Sequence, residues 1–181
     1  MQHKGTITLE TPRLILRQFV PDDLEPMFRF CWSDYEVWKW HNYAKMETID
    51  DVMTKANMFT PRWLGAYSDP KRYSWAIHSK ADGHAIGRMF GMHPDDEQVE
   101  LAYYIGQSWW NQGLMTEAVS TTIDFFLNEV GLHRVYAYHA DKNPASGRVM
   151  QKCGMRCVRI IPDGCTCNAG TFDRVDYEIL A

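Results

Sequence analysis

One stretch constrains this chain more than any other: Gln107 to Ala118, Gln-Ser-Trp-Trp-Asn-Gln-Gly-Leu-Met-Thr-Glu-Ala. Before it, Val99 to Ile105 reads as a strand. After it, Leu114 to Phe126 reads as a helix, because Met115, Ala118, Val119, Thr122, Ile123 and Phe126 recur at helical spacing and make one apolar face. The stretch is therefore a strand-to-helix turn with Gly113 at its corner. Glycine lets a ligand approach the backbone closely. The free N–H groups of the helix's first turn, with the helix dipole behind them, favour a negative charge. A phosphate or pyrophosphate suits such a turn. An ordinary capped turn has the same local pattern, so the motif draws its meaning from its context.

That context is a chain of 181 residues, a length that suits one domain, 1–181, with a sizeable core. Hydrophobic residues make up 45%, enough for globular packing rather than disorder. The formal net charge is −4, and no basic run of the kind that binds nucleic acid occurs. No stretch approaches the roughly 18 apolar residues of a membrane span, and the N-terminus lacks the apolar core of a signal peptide. Five cysteines is an odd number, which argues against a full disulfide framework and for a reducing, cytoplasmic setting. Cys153, Cys157, Cys165 and Cys167 cluster without a familiar metal-binding spacing, so no metal is expected.

Taken in order, Arg13 to Phe19 reads as a first strand. Pro21-Asp22-Asp23 opens a helix with Leu24, Met27, Phe28 and Cys31 on its apolar side. Thr48 to about Leu64 reads as a second helix, with Thr48 as N-cap and Pro61 late in the pattern. Between the two lies an aromatic run with Trp38 and Trp40. These tryptophans either pack helices onto the sheet or wall a substrate pocket. Tyr73 to Ser79 and His84 to Met92 are strands joined at Asp82-Gly83, a hairpin signal. Strands follow at Val99, at His133 to His139, at Met155 to Ile161 and at Phe172 to Ile179, with Asp163 to Gly170 as a loop. Asn143-Pro144 starts a short helix that runs to Lys152, with Asn143 as its cap.

Trp-Trp-Asn-Gln-Gly-Leu-Met-Thr-Glu-Ala closely resembles the acyl-CoA pyrophosphate loop of the GNAT superfamily of N-acetyltransferases. Trp110, Gly113 and Met115 take the places where that family writes Gln/Arg, Gly and Gly/Ala. Methionine followed by Thr-Glu-Ala is similar to the ribosomal-protein N-acetyltransferase branch, as is Thr11-Pro12-Arg13-Leu14-Ile15-Leu16-Arg17 at the start. Asn143-Pro144-Ala145-Ser146 with Lys152-Cys153-Gly154-Met155 resembles the family's second signature, one strand after the loop. Gln151 and Met155 stand where that signature has Glu and Phe.

The resemblance implies an α/β fold, a mixed and mostly antiparallel sheet of six or seven strands with helices on both faces. Its fourth and fifth strands splay apart to admit the cofactor. It implies acetyl-CoA as co-substrate, with the pyrophosphate on N–H groups of Asn111, Gln112, Gly113, Leu114, Met115 and Thr116. N–H groups around Tyr104 and Ile105 would bind the acetyl carbonyl. Asn143 would hold the pantetheine arm and Ser146 would lie near the sulfur. The acceptor is an amine, either a protein N-terminal α-amine or a small molecule, in a pocket walled by Trp38 and Trp40. A monomer or homodimer without membrane or nucleic-acid partners is expected. Glu100 is the candidate base, on the strand face shared with Ala102 and Tyr104; an exposed structural carboxylate is the other reading. Ser146 is the candidate donor to the leaving thiolate, because Met150 occupies the place where many relatives have tyrosine. A non-catalytic acyl-CoA-binding sensor on the same fold is the alternative to an enzyme.

Overall fold

The computed structural model describes residues 1–43 and 45–181. A single mixed sheet runs through them, built from β1 (Leu9–Glu10), β2 (Leu14–Arg17), β3 (Tyr73–Ser79), β4 (His84–Met92), β5 (Gln98–Ile105), β6 (Arg134–Ala140), β7 (Arg156–Cys167) and β8 (Gly170–Leu180). The spatial order is β1-β2-β3-β4-β5-β6-β8-β7. Every neighbouring pair is antiparallel except β5 and β6. The eight strands exceed the six or seven expected by the two-residue β1. It is too short to leave an alternation signal, and it is set by its pairing with β2.

Strand alternation divides the central residues between two cores. Trp75, Met89, Leu101 and Tyr103 face the long helix α5 (Leu114–Asp124) and its wider π-helical continuation, Phe125–Val130. Burial of side chains such as Trp75, Phe125 and Phe126, each under 2% exposed, contributes about 1.5–3 kcal/mol apiece. Contact is so close that a Cβ on Gly91 would come within 2.9 Å of the Phe126 ring. Ala76, Ala85, Phe90 and Tyr104 face the other core, filled by Phe19, Met27, Cys31, Trp32, Val52 and Phe59. Those residues come from short helices: α1 (Leu24–Met27) with its flanking turns, α2 (Tyr35–Trp38), α3 (Ile49–Thr54) and α4 (Pro61–Gly65).

The helix expected from Thr48 to Leu64 is two helices. Thr48 caps α3 as expected, accepting from Asp51 N while Asp51 accepts from Thr48 N. Asn57 and Phe59 then adopt positive φ, which no helix can propagate, and Pro61 sits at the start of α4 behind a Thr60 cap. At the C-terminus, most of the expected loop Asp163 to Gly170 is strand. β7 runs to Cys167 and turns tightly into β8, because cross-strand pairing with Gly170–Phe172 outweighs the turn-like composition. No helix among the described residues is long and apolar enough to cross a membrane.

Candidate active site

β5 and β6 pair only at Gln98–Arg134, Val99–Val135 and Glu100–Tyr136. Beyond Glu100 the strands part: β5 stays on β4 and β6 stays on β8. The wedge between them opens into a cleft of about 850 Å³ whose walls include Glu100, the turn before α5, helix α6 (Pro144–Lys152) and the segment Glu36–Tyr43.

At the turn, Asn111 and Gly113 both have left-handed backbones, with φ of 60° and 77°. This curls successive amides toward one side, the arrangement that makes an anion nest. The first intrahelical bond is Glu117 N–H to the Gly113 carbonyl. Among the described residues, no N–H from Asn111 to Thr116 donates to a protein acceptor. The back of the turn is held by Arg13, whose Nη1 donates to the Gln112 carbonyl at 2.9 Å and whose Nε donates to Glu117 at 2.6 Å. Burial alone would raise the Glu117 carboxyl, but bonds from Thr11 and Arg13 hold it below the usual range. The Gln112 side chain lies outside the cleft wall, donating to the Ser108 carbonyl, so only its backbone can serve a ligand there.

The edge of β5 sets the next donors. Gly106 N–H donates across the sheet to the Ile86 carbonyl at 2.9 Å. By alternation the Ile105 N–H turns to the open edge, and the Ile105 carbonyl accepts there from Trp110 Nε1. The N–H of Tyr104 turns back into the sheet. Of the two expected donors, Ile105 alone is placed to offer a backbone N–H to the cleft; Tyr104 contributes its side chain.

Glu100 stands where the two strands part. It is 8% exposed, unlike the exposed strand carboxylate of the competing reading, and it lines the cleft. Burial pushes its carboxyl above the usual range, against the opposing pull of Arg174 and His93. Asn143 occupies the N-cap position of α6, but its side chain makes no capping bond, contrary to expectation. Its φ of −110° and ψ of 65° take the side chain away from the first-turn amides, and it lies on the cleft wall instead. Ser146 also lines the cleft, and its Oγ donates to the Tyr103 hydroxyl at 3.2 Å. Met150, one helical turn on, is buried.

The fourth wall is the segment Glu36–Tyr43. Trp40 lines the cleft and packs on Phe172 of β8, with centroids 6.0 Å apart. Trp38 does not line it: its indole N–H donates to the Tyr43 carbonyl and its ring packs against Tyr35. The two tryptophans are adjacent to a helix end rather than on a strand, so i and i+2 point apart. The turn of the β7–β8 hairpin closes on this segment, with Asn168 N–H donating to the His41 carbonyl at 2.7 Å and Ala169 N–H to the Lys39 carbonyl at 2.9 Å.

The family model of the acetyltransferase (GNAT) domain matches residues 13–156. The chain belongs to the GNAT acetyltransferases. It is 27% identical over 175 residues to the uncharacterized N-acetyltransferase YoaA of Bacillus subtilis, covering 95% of this chain and 96% of that one. Among solved structures, the ribosomal-protein-S5-alanine acetyltransferase of Vibrio fischeri shares the fold with a TM-score of 0.80 at 14% identity, over 96% of each chain. The Microcin C7 self immunity acetyltransferase MccE, solved with acetyl-CoA and AMP, does so with a TM-score of 0.80 at 14% identity over 94% of each.

This GNAT acetyltransferase is therefore an acetyl-CoA-dependent enzyme rather than a sensor. Sequence reasoning missed the residues that reach the cleft by topology alone: Arg88, His41, Tyr43, Tyr103 and Tyr138. For Arg88, Tyr103 and Tyr138, on β4, β5 and β6, the one sequence signal was strand alternation, while His41 and Tyr43 lie outside any helix or strand. Arg88 is a charge on the same face of β4 as Phe90, within an otherwise apolar strand.

Proposed function

We propose that the enzyme transfers the acetyl group of acetyl-CoA to a primary amine, a protein N-terminal α-amine or a small-molecule amine, by direct attack in a ternary complex. The observation that carries this reading is the buried carboxylate of Glu100 on the cleft wall at the point where β5 and β6 part. In this reading the pyrophosphate lies on the amides of Asn111–Thr116 and the pantetheine arm runs past Asn143. The amine nitrogen attacks the thioester carbon and the C–S bond breaks. The developing oxyanion takes the Ile105 N–H, and Glu100 accepts the amine's proton. A carboxyl raised by burial is a stronger base than a solvated one. Holding both substrates in one cleft supplies much of the remaining acceleration.

The experiment is two-substrate kinetics with a panel of amines. Intersecting double-reciprocal lines are expected, with no acetylated protein detected by mass spectrometry after incubation with acetyl-CoA alone. Parallel lines with a stable acetyl-enzyme would replace direct attack by a covalent route.

In the same reading Ser146 hydrogen-bonds the departing thiolate. In the resting protein its one proton goes to the Tyr103 oxygen at 3.2 Å, so the hydroxyl rotates away from Tyr103 to donate to the thiolate. Ser146→Ala is expected to lower kcat by about 10-fold with the acceptor KM nearly unchanged, because the bond strengthens mainly in the transition state. A change confined to the acetyl-CoA KM would make Ser146 a cofactor contact only.

A further inference from the structure

The acceptor end of the cleft holds a cation without a counter-ion. Arg88 projects from β4 on the face it shares with Phe90 and Met92, and it lines the cleft. Its guanidinium lies 4.6 Å from the centroid of Phe90 and 5.8 Å from those of Phe19 and Trp63. Nη2 donates to Ser74 Oγ at 3.1 Å and Nη1 to Met58 Sδ at 3.6 Å, while Nε is buried with no acceptor. All these partners are neutral. Among the described residues Arg88 makes no ion pair, whereas Lys39, the other half-buried cation on the cleft wall, sits 2.6 Å from Glu36. Neutral hydrogen-bond partners and aromatic faces satisfy some of the guanidinium's donors and part of its field. They leave its unit charge uncompensated in a half-dry site, an expensive arrangement unless an anion completes it.

The surroundings of Arg88 suit an anion. The Tyr104 hydroxyl lies beside it and accepts from Trp32 Nε1 at 2.7 Å, which leaves the phenolic proton free to donate. His41 stacks on Tyr43 and meets the Tyr104 ring edge-on. Burial and the Arg88 charge push its imidazole down to about 4, so at neutral pH His41 adds no second positive charge here.

The register then places this cation relative to Glu100. Arg88 is directly opposite Tyr104, and Met92 is directly opposite Glu100. Glu100, Tyr104 and Arg88 consequently share one face of the sheet. Four residues separate Glu100 from Tyr104 along β5, about 13 Å between Cα atoms at ~3.3 Å per residue. Both side chains line the cleft, and that span leaves room for a small molecule between a carboxylate and a guanidinium. That is the complement of a zwitterion.

We propose that the acceptor carries a carboxylate as well as its amine, and that Arg88 binds the carboxylate while the amine lies at Glu100. The inference rests on the direct-transfer reading above and narrows its substrate class to amino-acid-like acceptors. Arg88 is a specificity residue in this scheme: it touches the acceptor and takes no part in proton transfer. Arginine suits the role because its planar fork can take a carboxylate through two parallel bonds, which an ammonium cannot.

The test compares matched acceptors. One arm uses L-amino acids against their α-amides, with rates compared per neutral amine because losing the carboxylate also lowers the amine pKa. A second arm uses short peptide amides with and without an acidic side chain near a free N-terminus, and so tells a free amino acid from an acidic peptide end. Thiol release from acetyl-CoA is followed with the wild type, Arg88→Met and Arg88→Lys, each first shown by calorimetry to keep wild-type acetyl-CoA affinity. The expected result is a wild-type preference of at least ~10-fold in kcat/KM for the carboxylate-bearing member in one arm. That ratio should fall close to one in Arg88→Met and to an intermediate value in Arg88→Lys. If Arg88→Met does not fold, Arg88→Lys decides by the same ratio. Equal use of acids and amides by the wild type, or a preference untouched by either substitution, overturns the inference and leaves direct transfer standing. No turnover of any amine overturns both.

Discussion

Replacing Glu100 by glutamine is expected to lower kcat by roughly 10²-fold, the size of a lost general base. Glutamine keeps the shape of the side chain and removes its basicity. At neutral pH most alkyl amines are protonated, so the loss should be greatest there. It should shrink as the pH rises and the amine arrives neutral. The wild-type rate should also fall on the acid side as Glu100 takes up a proton. That limb should lie above the ordinary carboxylate range, since burial raises this group, and it should be missing from the variant. A defect of constant size across pH would assign Glu100 to positioning.

The same shift makes a stability prediction of fixed sign. Because the folded state disfavours the ionised carboxylate, the fold is penalised at high pH, above the raised pKa, and not at low pH, below the unfolded value of about 4.3. Glu100→Gln should therefore raise the melting temperature at pH 8 and leave it unchanged near pH 3.5. A variant less active and more stable is the expected signature of a site that carries a buried charge for function.

Gly113→Gln is expected to weaken acetyl-CoA binding by about 10²-fold. The turn can supply charge-assisted bonds from the amides of Asn111–Thr116, each worth ~1.5–3 kcal/mol. Losing the equivalent of two weak ones, about 3 kcal/mol, corresponds to about two decades in Kd. The protein itself would not clash with the new side chain. The nearest atom to a Cβ at Gly113 is Arg13 Nη2, at an ordinary 3.6 Å. The intrinsic cost is the left-handed backbone, φ 77°, which strains any residue with a Cβ by ~1–2 kcal/mol. Gly113→Ala separates the two effects, since it carries the strain with little bulk. Calorimetry should give a small loss for alanine and a large one for glutamine. Thermal stabilisation by acetyl-CoA should fall in parallel. Unchanged affinity in a folded Gly113→Gln protein would remove the turn from the cofactor site.

The amino-acid sequence by itself determined the local devices. The glycine at the turn, the apolar stripe of α5, the Thr48 cap and the Pro144 start of α6 all follow from backbone sterics and short-range hydrogen bonding, which act within a few residues and leave a pattern. The resemblance carried by Gly113, Asn143 and Ser146 was legible for the same reason: it singles out backbone groups and helix-end residues whose geometry is local. Only the tertiary structure decided the opposite wall of the cleft. Trp38 and Trp40 part company because Trp40 packs on Phe172, far along the chain on β8, while Trp38 is held by Tyr43 close by. The Tyr104 N–H is spent within the sheet, while that of Ile105 is left at its edge, because of the β4 register. The hairpin that closes over residues 38–43 was hidden in a stretch of turn-forming residues whose strand state exists only through pairing. Arg88 reads in sequence as one charge in an apolar strand. Burial among three aromatic rings without a carboxylate partner makes it informative, and such burial belongs to the folded chain alone.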